Sequence, residues 1–254
     1  MAIAYDDLTV EWLGYATVRV AAADRVVYLD PGRYGVLTGE WEPDSPQAAD
    51  AHPPATDYRP ADGDLVCLTH VHHYDPDGID RVAGPDATVL AFEGIDPRES
   101  SRELARLGDL PYEVRTVGAE EQGVAASIPF WTVPAYNDPD GPRVGPDGTP
   151  VHPEGRGCGF LLAVDETRVF WPGDTDVLDG HAELDVDVFC PPIGGAFTMD
   201  RTEAADLAAA MEPGLVVPVH YNTFEALETD SRAFAADVAG SGVPVALDES
   251  QATE

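Results

Sequence analysis

The stretch Leu68-Thr69-His70-Val71-His72-His73-Tyr74-Asp75-Pro76-Asp77-Gly78 holds three of the chain's seven histidines, directly after the apolar, β-prone run Asp64 to Thr69. Tyr74 to Gly78 is turn chemistry, so the histidines fall where a buried strand opens into a loop. In extended chain His70 and His72 project from one face and reach a single ion. His73 points the other way unless a turn begins there and redirects it. One such histidine alone reads as a solvated loop side chain, whereas three together read as a metal site.

Around this stretch lies a chain of 254 residues with no Ser/Gly linker or sharp change of composition, which predicts one α/β domain spanning 1–254. Asp and Glu number 47 against 14 basic residues, for a net charge of −33, and all 14 are arginine. Such charge repels itself at ordinary salt, whereas molar salt shortens the Debye length to about 3 Å. The composition therefore predicts a halophilic protein, with the acid serving solubility in brine. It leaves no basic surface for nucleic acid or an anionic membrane. The amino terminus Met-Ala-Ile-Ala-Tyr-Asp-Asp has no basic or apolar segment, and no stretch approaches about 18 apolar residues, so a cytoplasmic location is expected. Cys67, Cys158 and Cys190 are widely spaced in apolar or glycine contexts and read as reduced core thiols.

Taken in order, Leu8–Leu13, Ala16–Val20 and Arg25–Asp30 read as an antiparallel meander closed by the turn Asp30-Pro31-Gly32. From 33 to 63 the sequence is loop-like, an insertion or a lid carrying Trp41, His52 and Tyr58; His52 is not counted as a ligand. Ala87–Phe92 and Tyr112–Val117 read as strands, and Pro97–Leu107 as a helix stopped by Gly108. Val124–Ala135 reads as one β stretch bent at Pro129, delivering Tyr136-Asn137 to a Pro/Gly/Asp-rich loop that contains His152. Gly159–Val164 and Arg168–Asp174 repeat the grammar of the opening strands and suggest two similar β layers. Val186–Pro191 and Leu215–His220 are buried strands. Asp200 and Glu203 form a capping pair for a helix from Arg201 to Met211. A helix from Ser231 to Val238 and a strand from Val243 to Leu247 close the chain.

Three strand-like runs thus end on metal-capable side chains: His70 and His72, then Asp174, then His220. Strand ends on one rim converge, so these residues sum to a site that none forms alone. Imidazole and carboxylate without thiolate fit one or two divalent ions, Zn first, with Mn or Fe as alternatives. A dication lowers the pKa of bound water from 15.7 to about 7, which makes hydrolysis the expected reaction class.

In order and spacing, Thr69-His70-x-His72, Pro134-Ala-Tyr-Asn137, His152-Pro, Pro172-Gly-Asp174-Thr-Asp, Pro192-Ile-Gly-Gly-x-Phe-Thr-Met-Asp200 and Pro218-Val-His220-Tyr make the chain resemble the metallo-β-lactamase superfamily. Within it, the chain is similar to small archaeal and bacterial hydrolases that include the ascorbate-phosphate lactonase type. The resemblance implies a four-layer αββα sandwich with His70 and His72 in a first metal site, Asp174 bridging and His220 in a second. The family order His-x-His-x-Asp-His is altered here. On the alignment we prefer, one Tyr-Asp pair is deleted and His73 takes the second-site histidine role. Position by position, Asp75 replaces that histidine instead. Where many members carry a further histidine after the β stretch, this chain has Tyr136-Asn137; either the role passes to His152, whose loop can fold back over the rim, or His152 is a surface loop histidine.

With the usual acidic residue missing, proton transfer falls to Asp75 or Asp174. Asn137 either binds a substrate oxyanion or caps a turn, and Asp30 either orients a ligand imidazole or serves only its turn. The expected activity is hydrolysis of a small lactone, ester, amide or phosphoester by metal-activated hydroxide. The alternative is a non-catalytic or single-metal sensing protein that retains the fold.

Overall fold

The computed structural model describes residues 2–32, 60–100, 103–223 and 225–249. The loop expected over 33–63 lies, from 33 to 59, outside them, and with it Trp41, His52 and Tyr58.

Two mixed sheets carry the fold. The first runs β1 (Ile3–Tyr5), β2 (Leu8–Trp12), β3 (Val18–Ala21), β4 (Val26–Leu29), β5 (Gly63–Leu68), β6 (Ala83–Phe92) and β7 (Glu113–Val117), in sequential order. Its first four strands pair antiparallel and the rest parallel. The second sheet comprises β8 (Gln122–Ala125), β9 (Ile128–Pro134), β10 (Cys158–Val164), β11 (Thr167–Trp171), β12 (Val188–Phe189) and β13 (Leu215–Val216). Here β8 to β11 pair antiparallel, and β12 and β13 continue in parallel. Each sheet is thus a meander extended by parallel strands, the likeness that the sequence suggested between its two halves. With helices α1 (Pro76–Val82), α2 (Arg201–Met211) and α3 (Ser231–Gly240), the chain forms the αββα sandwich expected of a metallo-β-lactamase fold.

Buried residues from both sheets and from all three helices form one hydrophobic cluster. Strand β10 is buried at all but one position, the pattern of a strand covered on both faces. Phe170 and Phe189 stack at 5.8 Å on neighbouring strands, each side chain contributing about 1.5–3 kcal/mol by leaving water. The three cysteines are buried and free, as expected. Helix α2 starts with the expected capping box, Asp200 accepting from Thr202 N and Glu203 N while Glu203 accepts from Asp200 N.

Four local readings need correction. Pro97–Leu107 forms no α-helix among its described residues. Asp96 instead caps a single 3₁₀ turn, Pro97–Glu99, and another turn, Leu107–Asp109, follows. Val124–Ala135 is a hairpin whose turn is Ala126-Ser127, both at positive φ (47° and 65°), rather than one bent strand. Tyr74–Gly78 was read as turn alone, but Pro76 occupies the first helical turn of α1 under an Asp75 cap. Val243–Leu247 reduces to one parallel bridge, Val216 to Val245.

His181 tests the packing beneath β11. It is buried at the start of a 3₁₀ turn, edge-on to Phe170 at 5.7 Å, and its Nδ1 accepts from Leu178 N. Burial holds its pKa down to about 4, the Pro134 carbonyl offsetting part of the effect. The folded pKa lies below the unfolded value near 6.5, so stability is fully present above pH 6.5 and is lost as pH falls toward 4. At about 1.4 kcal/mol per unit, wild type should lose roughly 3 kcal/mol more than His181→Gln across that window. Urea unfolding of both at fixed salt measures this; identical pH profiles would refute it.

Candidate metal centre

The centre is built around the turn after β4. Asp30 is fully buried, and its carboxylate collects four donors: Thr69 N at 2.8 Å, Thr69 Oγ1 at 2.7 Å, His73 Nδ1 at 2.9 Å and Trp171 Nε1 at 2.7 Å. Two glycines permit this. A Cβ on Gly32 would lie 2.2 Å from the His73 carbonyl, and one on Gly78 would lie 1.8 Å from the Pro31 carbonyl. The Asp30 turn therefore rests directly on the backbone of the histidine stretch.

These bonds settle which ring nitrogens face inward. The Thr69 hydroxyl has one proton and gives it to Asp30, so its lone pair takes the proton of His70 Nδ1 at 2.9 Å. His70 Nε2 is left as a bare acceptor. His73 likewise donates Nδ1–H to Asp30 and keeps Nε2 free of a proton. His152 Nδ1 donates to the Phe197 carbonyl at 3.1 Å, which frees its Nε2 as well.

The chain leaves β5 through His70 in extended conformation (φ −164°, ψ 176°) and turns at once through the 3₁₀ turn Val71–His73. His72 is therefore not on the strand with His70, as extended chain would place it. The turn sends His72 to the solvent side and carries His73 inward, so His72 is exposed while His70, His73, His152, Asp174 and His220 are buried.

Two groups of donor atoms result, and Asp174 touches both. Its Oδ2 lies 3.6 Å from His70 Nε2 and 3.4 Å from His152 Nε2, and His152 Nε2 lies 3.2 Å from His72 Nδ1. Its Oδ1 lies 3.6 Å from His73 Nε2 and 3.4 Å from His220 Nε2, and those two nitrogens are 3.3 Å apart. Ligands held at about 2.0–2.1 Å around a tetrahedral ion lie roughly 3.3–3.4 Å from one another, so the spacing matches a coordination shell. Asp174 Oδ1 and His70 Nε2 are buried without a hydrogen-bond partner, as is His220 Nδ1. A buried carboxylate oxygen and bare imidazole nitrogens aimed at one another lack a positive charge, and the donor set fits a borderline-soft dication.

Electrostatics keeps the ligands in donor form. Burial, reinforced by His73, holds the His70 pKa well below the usual imidazole range, and burial lowers that of His152. Burial pushes Asp174 up, but His220, His73 and His70 outweigh it and hold the carboxyl well below its ordinary value.

Other expected residues sit differently. Asp75 is buried and its Oδ1 accepts from Asp77 N at the start of α1; it belongs to neither donor group. The structure thus sets His73, not Asp75, against His220 and Asp174. Asn137 is a structural hub, its Oδ1 accepting from His152 N and its amide donating to Asp176 and the Phe197 carbonyl. Sequence reasoning missed Tyr15, whose ring packs on His73 at 5.1 Å and on His220 at 4.7 Å while its carbonyl accepts from His220 N. Tyr15, Asp30 and His220 all hold left-handed backbone (φ 50°, 46° and 54°), strain of about 1–3 kcal/mol each that gathers around the centre. Nothing in a lone Gly-Tyr pair announces that role.

Comparison with known proteins agrees with this geometry. The beta-lactamase superfamily domain matches residues 9–220. A UPF0173 metal-dependent hydrolase of Archaeoglobus fulgidus is 28% identical over 245 residues, covering 94% of each chain. One from Pyrococcus horikoshii is 31% identical over 239 residues, covering 89% of each. In fold, the chain is similar to a crystal structure described as a putative metal-dependent hydrolase from Parabacteroides distasonis, with TM-score 0.69, 23% identity and coverage of 94% and 92%. Igni18, a metallo hydrolase from Ignicoccus hospitalis, gives TM-score 0.67 at 20% identity, covering 97% of this chain and 96% of its own. With the superfamily domain spanning most of its length and relatives aligned almost end to end, this chain belongs to the metal-dependent hydrolases of the metallo-β-lactamase superfamily.

Proposed function

We propose that the chain is a two-metal hydrolase of small lactones, esters, amides or phosphoesters, with zinc as its metal and manganese or iron as substitutes. One observation carries this reading: the two oxygens of Asp174 face different histidine groups, as a bridging ligand's would. His70, His72, His152 and Asp174 Oδ2 would hold one ion, and His73, His220 and Asp174 Oδ1 the other. Ions held there supply Lewis acidity and a water whose pKa falls from 15.7 toward about 7.

The chain's own residues do the rest. Asp30 and Thr69 fix the tautomers of His73 and His70, so both rings present lone pairs without rearrangement. Tyr15 and the buried rims of both sheets keep bulk water from His73 and His220, leaving the His72 side as the approach for substrate. Of the two carboxylates read as proton carriers, Asp174 has oxygens facing the imidazole nitrogens, whereas Asp75 caps α1.

A second reading has support of its own. His70, His72, His152 and Asp174 amount to four protein ligands, and a four-ligand zinc site is closed and structural. On that reading the protein binds one ion and turns nothing over.

Protein purified without chelator should carry two dications per chain and hydrolyse at least one member of a panel of lactones, carboxylic esters and phosphodiesters. Chelation should abolish turnover and added zinc restore it. One ion and no turnover would favour the sensing reading; fewer than one, with no turnover, would end both.

Asp30→Asn replaces one acceptor oxygen by a donor within a set of four donors. It should cost roughly 2–4 kcal/mol of stability and weaken zinc binding about 10–100-fold. Denaturant unfolding and zinc titration read the two effects separately, and wild-type affinity in the variant would show that Asp30 only closes its turn.

A further inference from the structure

His152 does not reach the centre on a strand or helix. It lies in the 138–157 loop, a run rich in Gly, Pro and Asp whose described backbone contains no strand or helix, and only the isolated bridges Val144 to Pro150 and, at its end, Gly157 to His70. A ligand on such a segment needs something besides hydrophobic packing to hold it. The structure supplies a chain of polar contacts that begins at a buried arginine.

Arg143, 7% exposed in a strongly acidic protein, spreads its guanidinium over three acceptors. Nε donates to the Gly195 carbonyl at 3.1 Å, Nη1 to Asp176 Oδ1 at 2.9 Å, and Nη2 to Glu203 at the start of α2. Asp176 stands two residues beyond Asp174. Its Oδ1 also accepts from Asn137 Nδ2 at 3.0 Å, and its Oδ2 accepts from Asp138 N at 2.9 Å. Asn137 then clasps His152 by its backbone: His152 N donates to Asn137 Oδ1 and Asn137 N donates to the His152 carbonyl, both at 2.8 Å. The Phe197 carbonyl completes the circuit, accepting from Asn137 Nδ2 and from His152 Nδ1. Arg143 belongs to the same loop, and its own carbonyl accepts from Val151 N, beside His152.

We propose that Arg143 is a positioning residue which, through Asp176 and Asn137, holds His152 in ligand position and thereby sets the dication affinity of the His70–His72–His152–Asp174 group. The inference rests on the metal-centre reading given above. Guanidinium geometry is what the position requires, because three acceptors in three directions match its planar fork and an ammonium reaches one of them at best. Without the relay the loop must be ordered at the moment of metal binding, and affinity falls by that ordering cost.

The test is zinc titration of the metal-depleted full chain by calorimetry, with the visible spectrum of the cobalt-loaded chain as a second readout. Arg143→Met and Asp176→Asn should each weaken one of two binding events about 10–100-fold, leave the other unchanged and alter the cobalt spectrum. Arg143→Lys should fall between Arg143→Met and wild type. Met211→Ala, which empties a buried apolar position on α2 away from the relay, should lower stability and leave zinc affinity alone. If Arg143→Met does not fold, Arg143→Lys and Asp176→Asn carry the comparison. Wild-type affinity in the relay variants, or an equal loss in Met211→Ala, overturns the proposal. A wild-type chain that binds no zinc overturns the metal-centre reading instead.

Discussion

The buried carboxylate of Asp30 is the constraint on which the site depends. It sits at the end of β4 in the first sheet, and one of its four donors, Trp171 Nε1, belongs to β11 in the second. The carboxylate therefore pins the two sheets together at the rim where the ligands gather. Its other donors are Thr69, which directly follows β5, and His73 in the turn beyond it. Each hydrogen bond to a charged group is worth about 1.5–3 kcal/mol, and a donor left bare in this interior would cost a similar amount. The sheet junction and the tautomers of two imidazoles are thus fixed by the same atoms.

From that anchor the centre divides into a rigid and a less rigid half. His70, His73, Asp174 and His220 stand at or just beyond strand ends, where sheet pairing and burial limit their freedom. His220 is further held by its N–H to the Tyr15 carbonyl. His152 comes from a loop and is held by hydrogen bonds to Asn137 and the Phe197 carbonyl, while His72 faces solvent. The division suits a site that must keep its charge arrangement while admitting substrate from one side.

Much of this was legible in the sequence because strand-end chemistry is local. A β-branched run followed by histidines or by Gly-Asp identifies both the strand and the rim residue, and this located His70, Asp174 and His220. His152 was inferred only from resemblance and from the absence of histidine after β9. Helix Arg201–Met211 was legible through its capping pair. Two failures involve an Asp-Pro pair: Pro97–Leu107 has helix formers, but Asp96 caps only a single 3₁₀ turn at its start, and α1 was hidden because Asp-Pro reads as a turn when it is also a helix start. The roles of Tyr15, Trp171 and Arg143 depend on contacts between residues far apart in the chain, and Arg143 in particular sits among Gly, Pro and Asp with no local mark of burial.

The most direct measurement is anomalous diffraction at the zinc edge on crystals grown without chelator. The account predicts two peaks flanking the Asp174 carboxylate, one among His70, His72 and His152 and the other between His73 and His220. Crystals in which no anomalous signal lies within bonding distance of Asp174, with the imidazoles hydrogen-bonded only to one another, would contradict it.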